Sequence, residues 1–208
     1  MVNSQVYSDK EKIILGAAKK VFLMKGLYGA RMQEIAEEAG INKALLHYYF
    51  RSKNQLFEAI FKMVLSDFAP KALAILNNEE SFERKIQLFI ANYIDTLLEN
   101  RFLPVFVMNE INQNPHRIAF LKSAITEIKA SKFIAQLNEK IEAGDFYPIE
   151  TEQFITNILS LSLFPFIGRP LIREVFDMNE KDFNDFIIDR KKMIPEIILR
   201  SVQKSNQF

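Results

Sequence analysis

The 208-residue sequence contains no cysteine and no tryptophan. Without cysteine there is no disulfide framework, no thiolate metal site and no cysteine nucleophile. Glycine and proline are scarce, at six and seven, roughly half of ordinary usage. So few turn residues disfavour a many-stranded β protein and favour long helices. Histidine is rarer still: His47 and His116 are the only two, with no HExxH pair and no clustered metal-ligand spacing. No G-x-S-x-G elbow, phosphate-binding glycine loop or dinucleotide fingerprint occurs. No catalytic residues, cofactor or metal are therefore expected. No run of about 18 apolar residues exists, so no membrane partner is expected either. The start lacks a basic-then-apolar leader, and nothing demands an oxidising compartment; a cytoplasmic location is the expectation.

What is present is an ordinary globular balance of 49% hydrophobic and 25% charged residues, enough for a real core and too apolar for a disordered chain. The net charge of +1 is uninformative, but its distribution is not. Residues 1–56 hold nine basic side chains against five acidic ones, and residues 57–208 hold 18 against 21. A basic front end on a mildly acidic body is the asymmetry of a nucleic-acid module attached to something else.

Apolar spacing of three to four residues predicts helix after helix. Ser8 or Asp9 caps a first helix that Gly26 stops, with Ile13, Ile14, Ala17, Ala18, Val21 and Phe22 on one stripe. Short helices follow at Met32–Ala39 and Lys43–Phe50. Ser52 caps a fourth, which Pro70 should bend or interrupt. Further helices are expected at Ser81–Glu99 and Phe102–Gln113, then as one unbroken helix from Pro115 to about Ala143. Glu152–Ile167 and Phe183–Val202 close the chain. Strand alternation never persists, so the class is all-α. The charge asymmetry divides the helices into a basic head, residues 1–56, and a larger helical body, residues 57–208.

The second and third helices, joined by Gly40-Ile41-Asn42, form a helix-turn-helix pattern. Ala36 is small enough for a close helix crossing, and Gly40 can take the positive φ of the sharp turn. Ile41 and Leu46 should turn into the head's core beside Ile35, leaving Lys43, Leu45 and His47 outward. In such a motif the second helix enters the DNA major groove. Spacing alone leaves an ordinary helical corner equally open.

A wider set of positions narrows the choice. Ile13-Ile14-Leu15-Gly16-Ala17-Ala18, Phe22, Gly26, Ile35-Ala36, Ala39-Gly40-Ile41, Leu46, Phe50, Lys53 and Leu56-Phe57 together resemble the DNA-binding domain of the TetR/AcrR regulators. The resemblance covers about 45 of the 208 residues. It implies a homodimer with a three-helix head, residues 1–56, that binds duplex DNA, and a helical body, residues 57–208, for ligand binding and dimerisation that holds a small effector. Two-fold symmetry would then make the operator palindromic. The sequence departs from the family where Arg31 replaces the usual capping Ser or Thr, where Ala44 replaces a glycine, and at His47 and Tyr49. By position, Lys43 should reach a base edge, since lysine can donate to guanine O6 and N7. Leu45 suits a thymine methyl, His47 base or backbone, and Gln33 an adenine. Tyr48, Tyr49 and Lys53 suit phosphates, Arg31 could reach one too, and Asn42 and Ala44 complete the DNA-facing set.

In the body, aromatic richness means first of all a core. Phe102, Phe106, Asn109 and Glu110 are the expected lining of an effector pocket, with a simple solvated or paired Glu110 as the plainer reading. Ile155, Ile158, Leu159, Phe186, Ile194 and Ile198 are the expected dimer contacts, because helices apolar all round must be buried by something. The functional expectation is a ligand-responsive regulator, a repressor released by a small apolar or aromatic effector. The alternatives are a helical small-molecule or lipid binder, or a protein-binding adaptor, without useful DNA affinity.

Overall fold

The computed structural model describes residues 8–204, apart from the side chains of 65–68, 120, 121, 123 and 124. Eleven α-helices are seen among them: α1 Asp9–Gly29, α2 Met32–Glu38, α3 Lys43–Tyr49, α4 Lys53–Asn77, α5 Phe82–Glu99, α6 Leu103–Gln113, α7 Ala119–Lys129, α8 Lys132–Glu142, α9 Thr151–Ile167, α10 Arg169–Val175 and α11 Glu180–Val202. A short 3-10 turn, Pro115–Ile118, precedes α7. The only β pairing among the described residues is one isolated bridge, Phe146 to Gln203. No single helix among them is long and apolar enough to cross a membrane.

The chain divides into two compact units, Met1–Asp67 with Phe106–Arg117, and Phe68–Val105 with Ile118–Phe208. The division drawn from charge at residue 56 differs from this. The first half of α4 and a distant segment, 106–117, go with the head.

In the head unit, the Ser8 hydroxyl accepts from the Glu11 N–H and the Glu11 carboxylate accepts from the Ser8 N–H, a reciprocal cap on α1. That bonding holds the Glu11 carboxyl below its usual range. Gly26 adopts φ +66° within α1, so the helix is kinked there rather than stopped, and Leu27 turns inward. The core below holds Phe22 edge-on to Phe57 at 4.9 Å, with Ile35, Ala36, Leu46, Leu56, Ile60 and Phe61 fully buried. Phe106 closes it, its ring centroid 5.2 Å from Phe57 and 5.9 Å from Phe61. Arg117 is buried there too, its guanidinium 4.8 Å above Phe57 and 5.8 Å above Phe61. It pairs with buried Glu110, which also accepts from Asn114 Nδ2 at 2.5 Å.

In the body unit, α5, α9 and α11 pack together, with α8 against α5 and α10 against α9. Phe82 is the aromatic hub, stacked on Phe133 at 4.8 Å and meeting Phe146 at 5.5 Å and Phe154 at 5.8 Å. Lys85 lies buried beside it with Nζ donating to Gln136 Oε1 at 2.9 Å, and burial holds that ammonium below its usual pKa. Arg101, Arg169 and Arg173 converge on Glu180, fixing α10 to the start of α11.

Several expectations need correcting. α4 runs unbroken through Pro70, which is not buried, so water can replace the bond its missing N–H leaves. The single helix expected from Pro115 to Ala143 is three pieces. Its main break falls at Ser131, where the Lys132 N–H is taken by Asn77 Oδ1 at 3.1 Å, a cap supplied from α4. α10 was not expected at all, although Pro170 in a first turn after Gly168 is a start signal. Among the expected dimer contacts, Ile158, Ile194 and Ile198 are buried in the body's own core and so face no partner. Ile155, Leu159 and Phe186 are half-buried.

Candidate nucleic-acid interface

The reading surface starts with local backbone chemistry. Gly40 takes φ +66° between α2 and α3, and the Ile41 N–H returns to the Ala36 carbonyl at 3.0 Å, closing the turn. Asn42 then caps α3, its Oδ1 accepting from the Leu45 N–H at 2.8 Å. Leu46 is fully buried and Phe50 nearly so, which locks α3 onto the head. One face of α3 is thereby left to solvent, carrying Lys43, Ala44, His47 and Tyr48. Leu45 and Tyr49 are half-buried at its margins, and Tyr48 stands edge to face on Tyr49 at 5.3 Å. Ser52 Oγ accepts from the Gln55 N–H at 3.2 Å and so caps α4, as its position predicts.

A shallow groove of about 450 Å³ joins the parts, lined by Ala30, Arg31, Met32, Gln33, Lys43, His47 and Lys53. Its floor is apolar and three of its rim residues are cations. Arg31 occupies the capping position of α2 without making a side-chain cap, and is exposed. Its charge also acts on Glu34, but it makes no ion pair among the described residues, so its donors remain available to an anion.

Three of the expected DNA contacts have other work. The Asn42 oxygen is engaged in the cap, so Asn42 serves the interface by shaping α3. Gln33 Nε2 donates to Glu37 Oε1 at 2.8 Å on its own helix, so an adenine would have to compete with that carboxylate. Lys53 Nζ donates to the Ala30 carbonyl at 3.0 Å, tying the start of α4 to the turn before α2. An ammonium has three donors, which leaves two for a phosphate. Sequence reading missed this bond because its partners lie 23 residues apart.

It also missed how α2 is held. Lys20 pairs with Glu38 at 2.6 Å and Lys25 with Glu34 at 3.1 Å, bridging α1 and α2. The hydrogen bond from Lys25 keeps the Glu34 carboxyl below its usual range. The basic surplus of the head is therefore partly spent internally, while Arg31 and Lys43, both lining the groove, carry no ion pair among the described residues.

The four residues expected to line an effector pocket fall in different units, Phe102 in the body and Phe106, Asn109 and Glu110 in the head. Phe102 is 48% exposed and Asn109 is exposed. Phe106 is consumed in packing on Phe57 and Phe61, and Glu110 is neutralised by Arg117. The paired reading of Glu110 is the one the structure supports.

Known proteins match the same region in sequence and the helical fold in structure. The pattern describing bacterial regulatory proteins of the tetR family matches residues 14–60. The HTH-type transcriptional regulator RutR of Escherichia coli K12 is 40% identical over 80 residues. That match spans 33% of this chain and only 38% of RutR. The HTH-type transcriptional repressor NicS of Pseudomonas putida KT2440 is 28% identical over 134 residues, 63% of this chain and 61% of NicS. Among solved structures, the TetR family transcriptional regulator PfmR from Thermus thermophilus superposes with a TM-score of 0.69 over 96% of this chain and all of that one, at 18% identity. The helix-turn-helix geometry and the matched segment agree: residues 14–60 are similar to the DNA-binding region of bacterial regulatory proteins of the tetR family, and the all-helical fold is the one seen in that solved structure.

Proposed function

We propose that the protein is a ligand-responsive transcriptional repressor that binds a palindromic duplex operator as a two-fold homodimer and is released by a small effector held in the body. The observation that carries this reading is the outward row Lys43, Ala44, His47 and Tyr48 on a helix locked to the head by Leu46. The residues nearest the start of such a helix read base edges, and the flanking cations engage phosphates. Selection of bound duplexes from a random pool supplies the operator. On it, Lys43→Ala should cost about 1–3 kcal/mol and relax base preference at one position in each half-site. Arg31→Ala should instead weaken all sequences alike and flatten the dependence of affinity on salt. Equal affinity of all three proteins for the selected duplex would refute the assignment of α3.

Dimerisation has its own support. Phe164, Ile167, Leu171 and Val175 form an exposed apolar row along α9 and α10, and Ile188, Met193 and Ile197 are exposed on α11. Half-buried Ile155, Leu159 and Phe186 border these helices. An apolar surface of this extent marks an association site, and a copy of the same surface is its simplest complement. Light scattering at micromolar concentration should give twice the chain mass, and Leu171→Asp combined with Ile197→Asp should give the chain mass. A wild-type monomer, or a selected site without a dyad, would count against the dimer.

A further inference from the structure

The buried polar groups of the body include Lys85, which is satisfied by Gln136, and one level that is not satisfied. The buried row of α11 runs through Phe183, Ile187, Ile194 and Ile198, and helical spacing places Arg190 in that row between Ile187 and Ile194. The buried row of α9 passes from Phe154 and Ile158 to Ser162, which is 1% exposed. The two positions share one height, because Arg190 Nη2 donates to the Leu161 carbonyl at 2.7 Å. Helix α5 joins at that height through the Lys191–Asp95 ion pair, which puts Asn92 within one turn.

At this level three buried polar atoms lack a hydrogen-bond partner among the described residues: Arg190 Nε, Ser162 Oγ and Asn92 Oδ1. Orphans of this kind are rare, and three at one height call for a missing partner. Arg190 has no carboxylate at ion-pair distance among the described residues. Its guanidinium carbon lies instead 5.5 Å over the Phe186 ring. Burial disfavours its charged form. A cation and a hydroxyl that both want an acceptor, in apolar surroundings, match the oxygens of a carboxylate.

We propose that this level of α5, α9 and α11 binds the carboxylate of a small organic acid, with Arg190 Nε and the Ser162 hydroxyl donating to its oxygens; the Asn92 oxygen, an acceptor, is left for a hydroxyl or N–H elsewhere on the acid. The site deepens the effector reading above and rests on that reading only for its effect on DNA; binding itself is tested without DNA. Hexanoate and benzoate are titrated against hexanol and benzyl alcohol. The readouts are the thermal midpoint and the Nε–H resonance of Arg190, identified by its absence in Arg190→Met. At least one acid should bind about tenfold or more tightly than its alcohol, the ratio that 1.4 kcal/mol represents, and should move that resonance. Arg190→Met should bind acid and alcohol alike. Ser162→Ala should weaken the acid several-fold while its own midpoint holds or rises, since it deletes an orphan. If Arg190→Met does not fold, Arg190→Lys and Ser162→Ala carry the same comparison. The proposal is overturned if acids and alcohols behave alike, if neither acid binds, or if Ser162→Ala binds the acid unchanged. Failure to bind any operator would sink the regulator reading and leave this result standing.

Discussion

Replacing Arg117 with leucine is expected to destabilise the head unit by about 3–5 kcal/mol, because it strands the Glu110 carboxylate in the core. Both residues are 5% exposed, so water cannot take over the lost partner. Asn114 alone remains to donate to that carboxylate. The substitution also removes a cation from the faces of Phe57 and Phe61. The double variant Glu110→Leu, Arg117→Leu should recover most of the loss, because desolvating an ion pair offsets much of its attraction. Urea unfolding followed by circular dichroism measures all three. A cost below about 1 kcal/mol for Arg117→Leu would mean the pair is solvated in solution, contrary to its burial here. The segment that carries the pair is far in sequence from the helix-turn-helix, so this outcome would also measure how firmly residues 106–117 belong to the head.

The second large effect is expected in the body. Phe82→Ala should cost about 3–5 kcal/mol, the usual range for truncating a buried phenylalanine. Phe82 is 1% exposed and touches three other rings, so a collapse that refilled the cavity would have to move Phe133, Phe146 and Phe154 together. Phe82→Leu keeps most of the volume and should cost under about 1.5 kcal/mol. Guanidinium denaturation separates the two variants. Similar losses for both would show that ring stacking, rather than filled volume, is what the cluster contributes.

The local grammar of the head was legible before any coordinates. Ser8 and Ser52 each accept from an N–H three residues ahead, as their positions predict, a pattern contained within a single turn; Asn42 does the same, although its position predicts a DNA contact instead. Gly40 and the inward set Ile35, Ala36 and Leu46 follow from spacing in the same way. What escaped notice is everything decided across distance. Lys53 bonds to Ala30, Lys132 to Asn77 and Arg117 to Glu110, and no period in the sequence announces those meetings. The dimer residues show a different limit. A helix apolar all round says that Ile158 and Ile194 are covered, but not whether by their own bundle or by a partner. Ile158, Ile194 and Ile198 are covered from within, and the outward apolar residues Phe164, Leu171 and Val175 lie on and beside α10, a helix too short for apolar spacing to announce.

The edge-to-face pair Tyr48–Tyr49 has an optical consequence. The chain has six tyrosines and no tryptophan, so no indole drains their excitation and ultraviolet emission comes from tyrosine alone. Tyr48 is 79% exposed on α3, whereas Tyr93 is half-buried against the body's core and burial of its hydroxyl pushes it up to about 12. A nucleobase or sugar-phosphate settling on α3 changes the surroundings of Tyr48 and Tyr49 and leaves Tyr93 untouched. The unlabelled protein thus carries its own fluorescent reporter on the face proposed to meet DNA, with a shielded tyrosine as internal reference.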